Sequence, residues 1–274
     1  MAEQVEILPP TRSTRGDPNE IYNAKLNPSL PQLPFMVAIV GPRNSGKTNL
    51  LRNLLSKRKG MYGAVFRPIN IILYKPTLAV DYSLDELKIM NSFGRETNCR
   101  IMVKELIDMQ QKLKDADNAL PILLVLDDIT QILEAWSILL EQGYIGRHIG
   151  VQILYISHKL SSIPRGVRTQ TQQWILFKPH EQSEFNWVLD TFAAPISKPV
   201  WIRALKRVWD VPFQFVYIDF ERKQGDVYHA GFDSPLFTPE EVYAIDNFLK
   251  IPGIEPEIKF QGDGESDDDA VETH

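Results

Sequence analysis

The segment that decides the fold runs from Phe35 to Leu55 and reads FMVAIVGPRNSGKTNLLRNLL. Its first residues, Phe35 to Val40, are apolar and include β-branched side chains, which is typical of a buried parallel strand. The next residues fit the pattern G-x-x-x-x-G-K-[ST] at every position. Beyond them, leucines recur at intervals of four residues and predict an amphipathic helix. The segment therefore predicts a strand, a glycine-containing loop and a helix in immediate succession.

The predicted loop has the residue types that a phosphate-binding site requires. Gly41 and Gly46 permit backbone conformations and close approaches that a side chain would block. The loop amides and the start of the helix then face an anion, Lys47 adds a positive charge for the β- and γ-phosphates, and the Thr48 hydroxyl is a ligand for Mg²⁺. The residues predicted to bind the nucleotide are Gly41, Pro42, Arg43, Asn44, Ser45, Gly46, Lys47 and Thr48. The alternative is a glycine turn with a chance lysine, and the flanking strand and helix disfavour it.

A second motif lies at residues 121–129, which read PILLVLDDI. An apolar strand that ends in two acidic residues is typical of a Walker B strand. In that interpretation Asp127 belongs to the Mg²⁺ site, whereas Asp128 orients or deprotonates the attacking water. The alternative is that the two acids end a buried strand and cap the following helix. The presence of the P-loop in the same chain favours the catalytic interpretation.

The composition is that of an ordinary globular protein, because 43% of the 274 residues are hydrophobic and 24% are charged. The one cysteine, Cys99, excludes an intramolecular disulfide and indicates a reducing compartment. The sequence has no apolar run of membrane-spanning length and no signal-peptide pattern, so we expect neither a membrane span nor secretion. The formal net charge is −5, but residues 253–274 contain eight acids and one lysine, which leaves residues 1–252 weakly basic.

The chain is predicted to form one α/β domain with two tails. Proline-rich residues 1–33 indicate an extended N-terminal arm, residues 34–252 the domain, and residues 253–274 an acidic disordered tail. Further strands are predicted at 70–74, 100–103, 122–126, 151–156 and 173–177, with a hairpin formed by 214–219 and 226–229. Helices are predicted at 84–92, 104–116, 129–141, 182–191, 201–209 and 240–249. This alternation predicts three layers around a mostly parallel sheet with an antiparallel hairpin at one edge.

Taken in order, these motifs resemble those of the genome-packaging ATPases of large DNA viruses, the poxvirus-type branch of the FtsK–HerA superfamily. The resemblance spans about residues 34–235. The pieces that carry it are VAIVGPRNSGKT at 37–48, LVLDD at 124–128, Gly146-Arg147-His148, the strand at 151–156, Ile163-Pro164-x-x-x-Arg168 and Gly231-Phe232-Asp233. The P-loop is common to many families, and the order of the other motifs narrows the choice.

The resemblance implies a RecA/FtsK-like P-loop NTPase that uses ATP and Mg²⁺. It implies a ring-forming homo-oligomeric motor that hydrolyses ATP to move double-stranded DNA into a capsid. Its implied partners are double-stranded DNA and capsid or portal proteins. Its expected location is the host-cell cytoplasm or nucleus at sites of virus assembly, with the virion as a further location.

The resemblance also implies two features of the catalytic site. The strand at 151–156 should lie between the P-loop strand and the Walker B strand and end in a polar γ-phosphate sensor, usually glutamine. His158 occupies that place here, either as the sensor or as a cap on the strand end. In this family an arginine from one subunit acts in the site of the next; Arg147 is the first candidate, before Arg168 and Arg165, although each could instead be structural or contact DNA. The predicted catalytic residues are therefore Lys47, Asp128, Arg147, His158 and Arg168.

Two other functions are compatible with a P-loop. A small-molecule kinase is disfavoured because the sequence has no arginine-rich lid segment and because the acid pair suits water activation. A nucleotide-gated scaffold that binds ATP and partner proteins is the non-enzymatic alternative. Slow turnover that does not respond to DNA would indicate the scaffold.

Overall fold

The computed structural model describes residues 22–78, 81, 83–116, 120–193, 196–222 and 226–241. Its strands are β1 Met36–Val40, β2 Ile71–Tyr74, β3 Asn91–Phe93, β4 Ile122–Leu126, β5 Val151–Ser157, β6 Gln173–Phe177, β7 Phe215–Asp219, β8 Tyr228–Ala230 and β9 Ser234–Pro235. Its α-helices are α1 Lys47–Leu54, α2 Tyr62–Val65, α3 Cys99–Asp115, α4 Leu133–Ile149, α5 Arg165–Gln170, α6 Gln182–Phe192 and α7 Lys198–Trp209.

The strands form one sheet in the order β3-β2-β4-β5-β1-β6-β7-β8-β9. The first six strands of this order are parallel, and β7, β8 and β9 continue the sheet in antiparallel fashion. The predicted mostly parallel sheet with an antiparallel edge is confirmed. β5 lies between β1 and β4, as the family resemblance implies. The P-loop and the acid pair therefore follow the carboxyl ends of two parallel strands, β1 and β4, which are separated by β5.

Each face of the sheet is covered by a separate apolar cluster, which produces three layers. Alternate residues of β1 face opposite sides, with Ala38 in one cluster and Ile39 in the other, and both are fully buried. The first cluster packs the sheet against α3, α4, α6 and α7. The second packs it against α1, α2 and part of the N-terminal segment, through Leu26, Leu30 and Leu33. The described part of the predicted arm thus lies against the domain.

The predicted strand at 100–103 is wrong because these residues belong to α3. The Asn98 side chain accepts a hydrogen bond from the Ile101 amide at 3.1 Å and caps the helix at its N-terminus. The buried side chains then follow helical spacing: Met102, Val103, Leu106, Ile107 and Gln110. The apolar triplet at 101–103 is one part of a helical stripe, not a strand.

The predicted helix at 84–92 is also wrong. Only a 3₁₀ turn forms, at Asp85–Leu87, and Lys88 then adopts a left-handed φ of 50° that ends it. Residues 91–93 form the edge strand β3 instead, and they pair with β2 in parallel.

The helix predicted at 129–141 begins later and continues further, as α4. It includes Gly146, Arg147 and His148 and ends at Gly150, whose left-handed φ of 80° is typical of a helix C-terminus. The helix predicted at 240–249 and the acidic tail at 253–274 lie outside the described residues, apart from the first two positions of that helix. No helix in the described ranges is both long and apolar enough to cross a membrane.

Candidate active site

The P-loop connects β1 to α1 and is fixed by close packing. A Cβ added at Gly41 would lie 2.7 Å from the Phe177 Cβ on β6, so that only glycine fits there. Gly46 has a φ of 106° and Asn44 a φ of 61°, which are left-handed conformations that favour glycine and asparagine. The Gly41 amide donates to the Ser157 carbonyl of β5 at 3.2 Å and ties the loop to the neighbouring strand. The loop therefore has the tight, glycine-dependent backbone that the motif predicts between a strand and a helix.

Lys47 lies folded back onto this loop. Its ammonium group donates to the carbonyls of Gly41 and Pro42, each at 2.6 Å, and its Nζ lies 3.3 Å from His158 Nδ1. Burial lowers the pKa of Lys47 to about 8, although the carboxylates of Asp127 and Asp128 act in the opposite direction. Burial thus disfavours the charged form of Lys47, and an anionic phosphate bound in the loop would favour it.

His158 connects the lysine to the second acid of the Walker B pair. Its Nε2 lies 2.9 Å from Asp128 Oδ1, while its backbone amide donates to the Thr130 hydroxyl at 3.0 Å. Because the Lys47 ammonium can only donate, Nδ1 accepts and Nε2 carries the proton donated to Asp128. The hydrogen bonds thus run in one direction, from the P-loop lysine through the histidine to the carboxylate.

Asp127 lies deeper, next to a buried lysine that follows β2. Lys75 Nζ is 3.4 Å from Asp127 Oδ2, 2.7 Å from Asp81 Oδ2 and 3.0 Å from Ser83 Oγ. Burial raises the pKa of Asp127, and the Lys75 ammonium opposes that effect. Partial burial acts against ionisation of Asp81, but hydrogen bonds from Lys75 and Ser83 hold the pKa of Asp81 at about 2. One buried cation therefore holds two carboxylates at the end of β2.

The groups around the loop fit a magnesium nucleotide. Thr48 lies in the first turn of α1, and Asp127 is 5% exposed at the end of β4, so that hydroxyl and carboxylate oxygens are available for a hard cation. The Ser45 hydroxyl is buried in the loop and has no hydrogen-bond partner within the described residues. Arg43 and Asn44 are exposed at the tip of the loop. An unsatisfied buried hydroxyl in the loop is a donor that a bound phosphate would satisfy.

The structure brings together most of the predicted catalytic residues, namely Lys47, Asp128 and His158, but it places Arg168 elsewhere. The Arg168 guanidinium donates to the Ile163 carbonyl at 2.7 Å and lies 5.0 Å from the centre of the Trp187 ring. Burial lowers the pKa of Arg168. Arg147 belongs to the last turns of α4, and its side chain lies outside the described part of the chain.

Three residues of the site have no assigned role in the sequence interpretation. Lys75 directly follows a predicted strand, so the rule that groups at the carboxyl ends of parallel strands converge could have found it. Thr130 holds the His158 backbone, and the buried Glu184 on α6 accepts from the Leu160 amide at 2.9 Å and fixes the loop after β5. No local pattern marks Thr130 or Glu184, because their partners lie 28 and 24 residues away.

The depressed pKa of Lys47 makes a prediction about nucleotide binding. Phosphates favour the protonated lysine. ATP affinity should therefore be highest at pH values below the Lys47 pKa of about 8 and should fall as the pH rises above that pKa. The fall should approach about tenfold per pH unit above that value. The affinity of a non-hydrolysable ATP analogue, measured from about pH 7 to pH 9.5, tests this with Lys47→Arg as the control, since arginine stays charged throughout. An affinity of the wild type that is constant over this range contradicts the prediction.

A P-loop between β1 and α1, an acid pair at the end of β4 and a strand inserted between them are the arrangement of the P-loop NTPase fold. The comparisons with known proteins agree. The chain belongs to the family described as Poxvirus A32 protein, whose model matches residues 25–206.

Solved structures share this fold. EssC (ATPases 2 and 3) from Geobacillus thermodenitrificans has a TM-score of 0.51 and 12% identity over 80% of this chain and 45% of its own. The cytoplasmic domain of the Type VII secretion ATPase EccC from Thermomonospora curvata has a TM-score of 0.50 and 17% identity over 72% of this chain and 25% of its own. This chain thus spans less than half the length of both.

A viral structure is also similar. The genome packaging NTPase B204 from Sulfolobus turreted icosahedral virus 2, in complex with AMP, has a TM-score of 0.49 and 16% identity over 73% of this chain and 97% of its own. A search of curated protein sequences finds no significant match.

Proposed function

We propose that this chain is an ATP-hydrolysing motor that moves viral double-stranded DNA into capsids. The observation that carries the proposal is the convergence of Lys47, Asp127 and Asp128 at one edge of the sheet, in a chain of the poxvirus A32 family. Convergent charges of this kind suit hydrolysis of a phosphoanhydride, and the family resemblance supplies the coupling to DNA packaging.

In the proposed mechanism, ATP binding releases Lys47 from its present partners. The loop amides bind the phosphates, and Lys47 exchanges the Gly41 and Pro42 carbonyls for the β- and γ-phosphate oxygens. Thr48 and Asp127 would hold Mg²⁺, which neutralises the charge that develops on the phosphates. Asp128 orients the attacking water and accepts its proton.

His158 is proposed to sense the nucleotide. While Lys47 lies against His158 Nδ1, the histidine donates to Asp128 from Nε2. Withdrawal of Lys47 by the phosphates removes the donor that faces Nδ1. The His158 ring can then turn its Nε2 proton from Asp128 to a γ-phosphate oxygen, which accepts it, and leave Asp128 free for the attacking water. The departure from the glutamine usual in the family thus retains a hydrogen-bonding group at the sensor position.

Transition-state stabilisation is proposed to come from an arginine of a neighbouring subunit in a homo-oligomeric ring. Arg147 remains the first candidate, ahead of Arg168 and Arg165. Arg168 would have to leave its contacts with Ile163 and Trp187 to act in a neighbouring site. The proposed partners are double-stranded DNA and capsid or portal proteins, at sites of virus assembly in the host cell.

Steady-state phosphate release, with and without double-stranded DNA, tests the proposed function. We expect release that rises severalfold with DNA, loses this stimulation as salt screens the phosphate contacts, and yields no phosphorylated acceptor. A Lys47→Ala preparation serves as the blank for contaminating ATPases. If the assembled oligomer releases phosphate at the same rate with and without DNA at low salt, the motor is contradicted and a nucleotide-gated scaffold is indicated.

A further inference from the structure

An exposed aromatic side chain lies beside the P-loop in an unfavourable backbone conformation. Phe213, in the connection between α7 and β7, is 71% exposed. Its φ of 63° places a bulky residue in the left-handed region, where such residues are outliers. Strained conformations of this kind cluster at ligand-binding sites, where the side chain must be held in one position even though the backbone conformation is unfavourable.

Phe213 is brought to the P-loop by the antiparallel direction of β7. Phe215 pairs with Phe177, the last residue of β6, so the start of β7 lies at the edge of the sheet where the parallel strands end. A Cβ added at Gly46 would lie 3.4 Å from Phe213 Cδ1 and 3.5 Å from Phe177 Cε1. The exposed ring therefore borders the phosphate-binding loop itself.

The sheet order gives a direction to a nucleotide bound in this loop. Asp128 follows β4 and His158 follows β5, and both strands lie on one side of β1. Phe213 lies on the other side of β1, beyond β6. A triphosphate whose γ-phosphate faces Asp128 and His158 directs its nucleoside end away from them, toward the side that Phe213 occupies.

We propose that Phe213 is the stacking surface for the nucleobase, an inference that rests on the proposed binding of ATP by the P-loop. A ring that is 71% exposed offers π-stacking to any base, with more contact for purines than for pyrimidines. The site thereby favours purine over pyrimidine nucleoside triphosphates, and the triphosphate contributes binding that does not depend on this residue.

The test measures binding rather than turnover, by titration calorimetry without DNA. Phe213→Gly removes the ring and retains access to the left-handed backbone. We expect this variant to bind a non-hydrolysable ATP analogue about tenfold more weakly, in line with the contribution of one base–aromatic stack. Inorganic tripolyphosphate should bind both proteins equally, and the preference for the ATP analogue over a CTP analogue should shrink. Phe213→Trp should restore affinity, with indole fluorescence that ATP quenches and tripolyphosphate does not.

Phe220→Ala is the matched control, because Phe220 is 48% exposed and follows the opposite end of β7. It should leave ATP affinity unchanged. The proposal is overturned if Phe213→Gly binds ATP as the wild type does, including the case in which only the oligomeric state changes, since Phe213 would then be a subunit contact. It is also overturned if the variant loses ATP and tripolyphosphate to the same extent, because the loop rather than the base would be affected. A wild type that binds ATP through Phe213 but is not stimulated by DNA contradicts only the motor.

Discussion

Asp128→Asn is expected to lower steady-state ATP turnover by about 100- to 10,000-fold, the usual contribution of a positioned acid–base group. Asparagine has nearly the shape of aspartate, and its Oδ1 can accept the same hydrogen bond from His158 Nε2 that Asp128 accepts at 2.9 Å. It cannot accept the proton of the attacking water. The substitution also suits the backbone, because Asp128 has a left-handed φ of 55° that asparagine tolerates. ATP affinity and thermal stability should therefore stay close to those of the wild type.

The matched control is Asp190→Asn, which makes the same chemical change in an exposed ion pair on α6. Asp190 Oδ1 lies 2.6 Å from Lys198 Nζ, and both side chains are mostly exposed. Turnover and affinity are measured for both variants in the same DNA-stimulated assay, and the control should match the wild type. An Asp128→Asn protein that retains more than about a tenth of wild-type turnover would exclude Asp128 as the residue that activates water.

The sequence predicts most of the parallel core of the sheet because local patterns carry the information there. A run of apolar residues followed by Gly41 can only be a buried strand entering a tight loop, and the acid pair marks the end of β4. The edge is different: β3 has only three residues, each partly exposed, and it forms because β2 offers it a pairing edge. Residues 91–93 carry no apolar alternation that would distinguish such a strand from a turn.

The same division applies to the site. Lys47 and Thr48 are recognisable because their partners lie within the same short loop. Phe213 is not, because its importance arises only when β7 pairs with β6 and brings it to Gly46, a contact across 167 residues. Residues 100–103 show the opposite case. Their apolar triplet predicts a strand, but the segment is helical because Asn98 caps a helix there and the buried side chains follow helical spacing. Sequence patterns thus predict site residues whose partners are close in the sequence better than site residues whose partners are brought near only by folding.

Lys75→Met should cost about 3–5 kcal/mol of unfolding free energy, since it removes one partner of a buried ion pair and leaves the other uncompensated. Lys75 is 1% exposed, and methionine fills the space of its apolar stem. The ammonium holds Asp127 and Asp81, so its loss leaves a buried carboxylate beside Asp128. Asp127→Asn alone should cost less, because Lys75 keeps its bonds to Asp81 and Ser83. The measurement is urea unfolding without nucleotide or Mg²⁺.

The double variant Lys75→Met/Asp127→Asn separates this cause from a simple packing defect. It should be more stable than Lys75→Met alone, because the carboxylate that lost its partner has also lost its charge. Lys198→Met is the matched control: the Lys198–Asp190 pair is as short, 2.6 Å against 2.7 Å for Lys75–Asp81, but it is exposed, and such pairs contribute about 0–1 kcal/mol. Equal losses of stability for Lys75→Met and Lys198→Met would show that Lys75 does not hold Asp127 in place. A double variant that is no more stable than Lys75→Met alone would show the same. The reason to expect otherwise is burial: Asp190 is mostly exposed, so water screens its charge when Lys198 is removed, whereas Asp127 is 5% exposed and is screened far less.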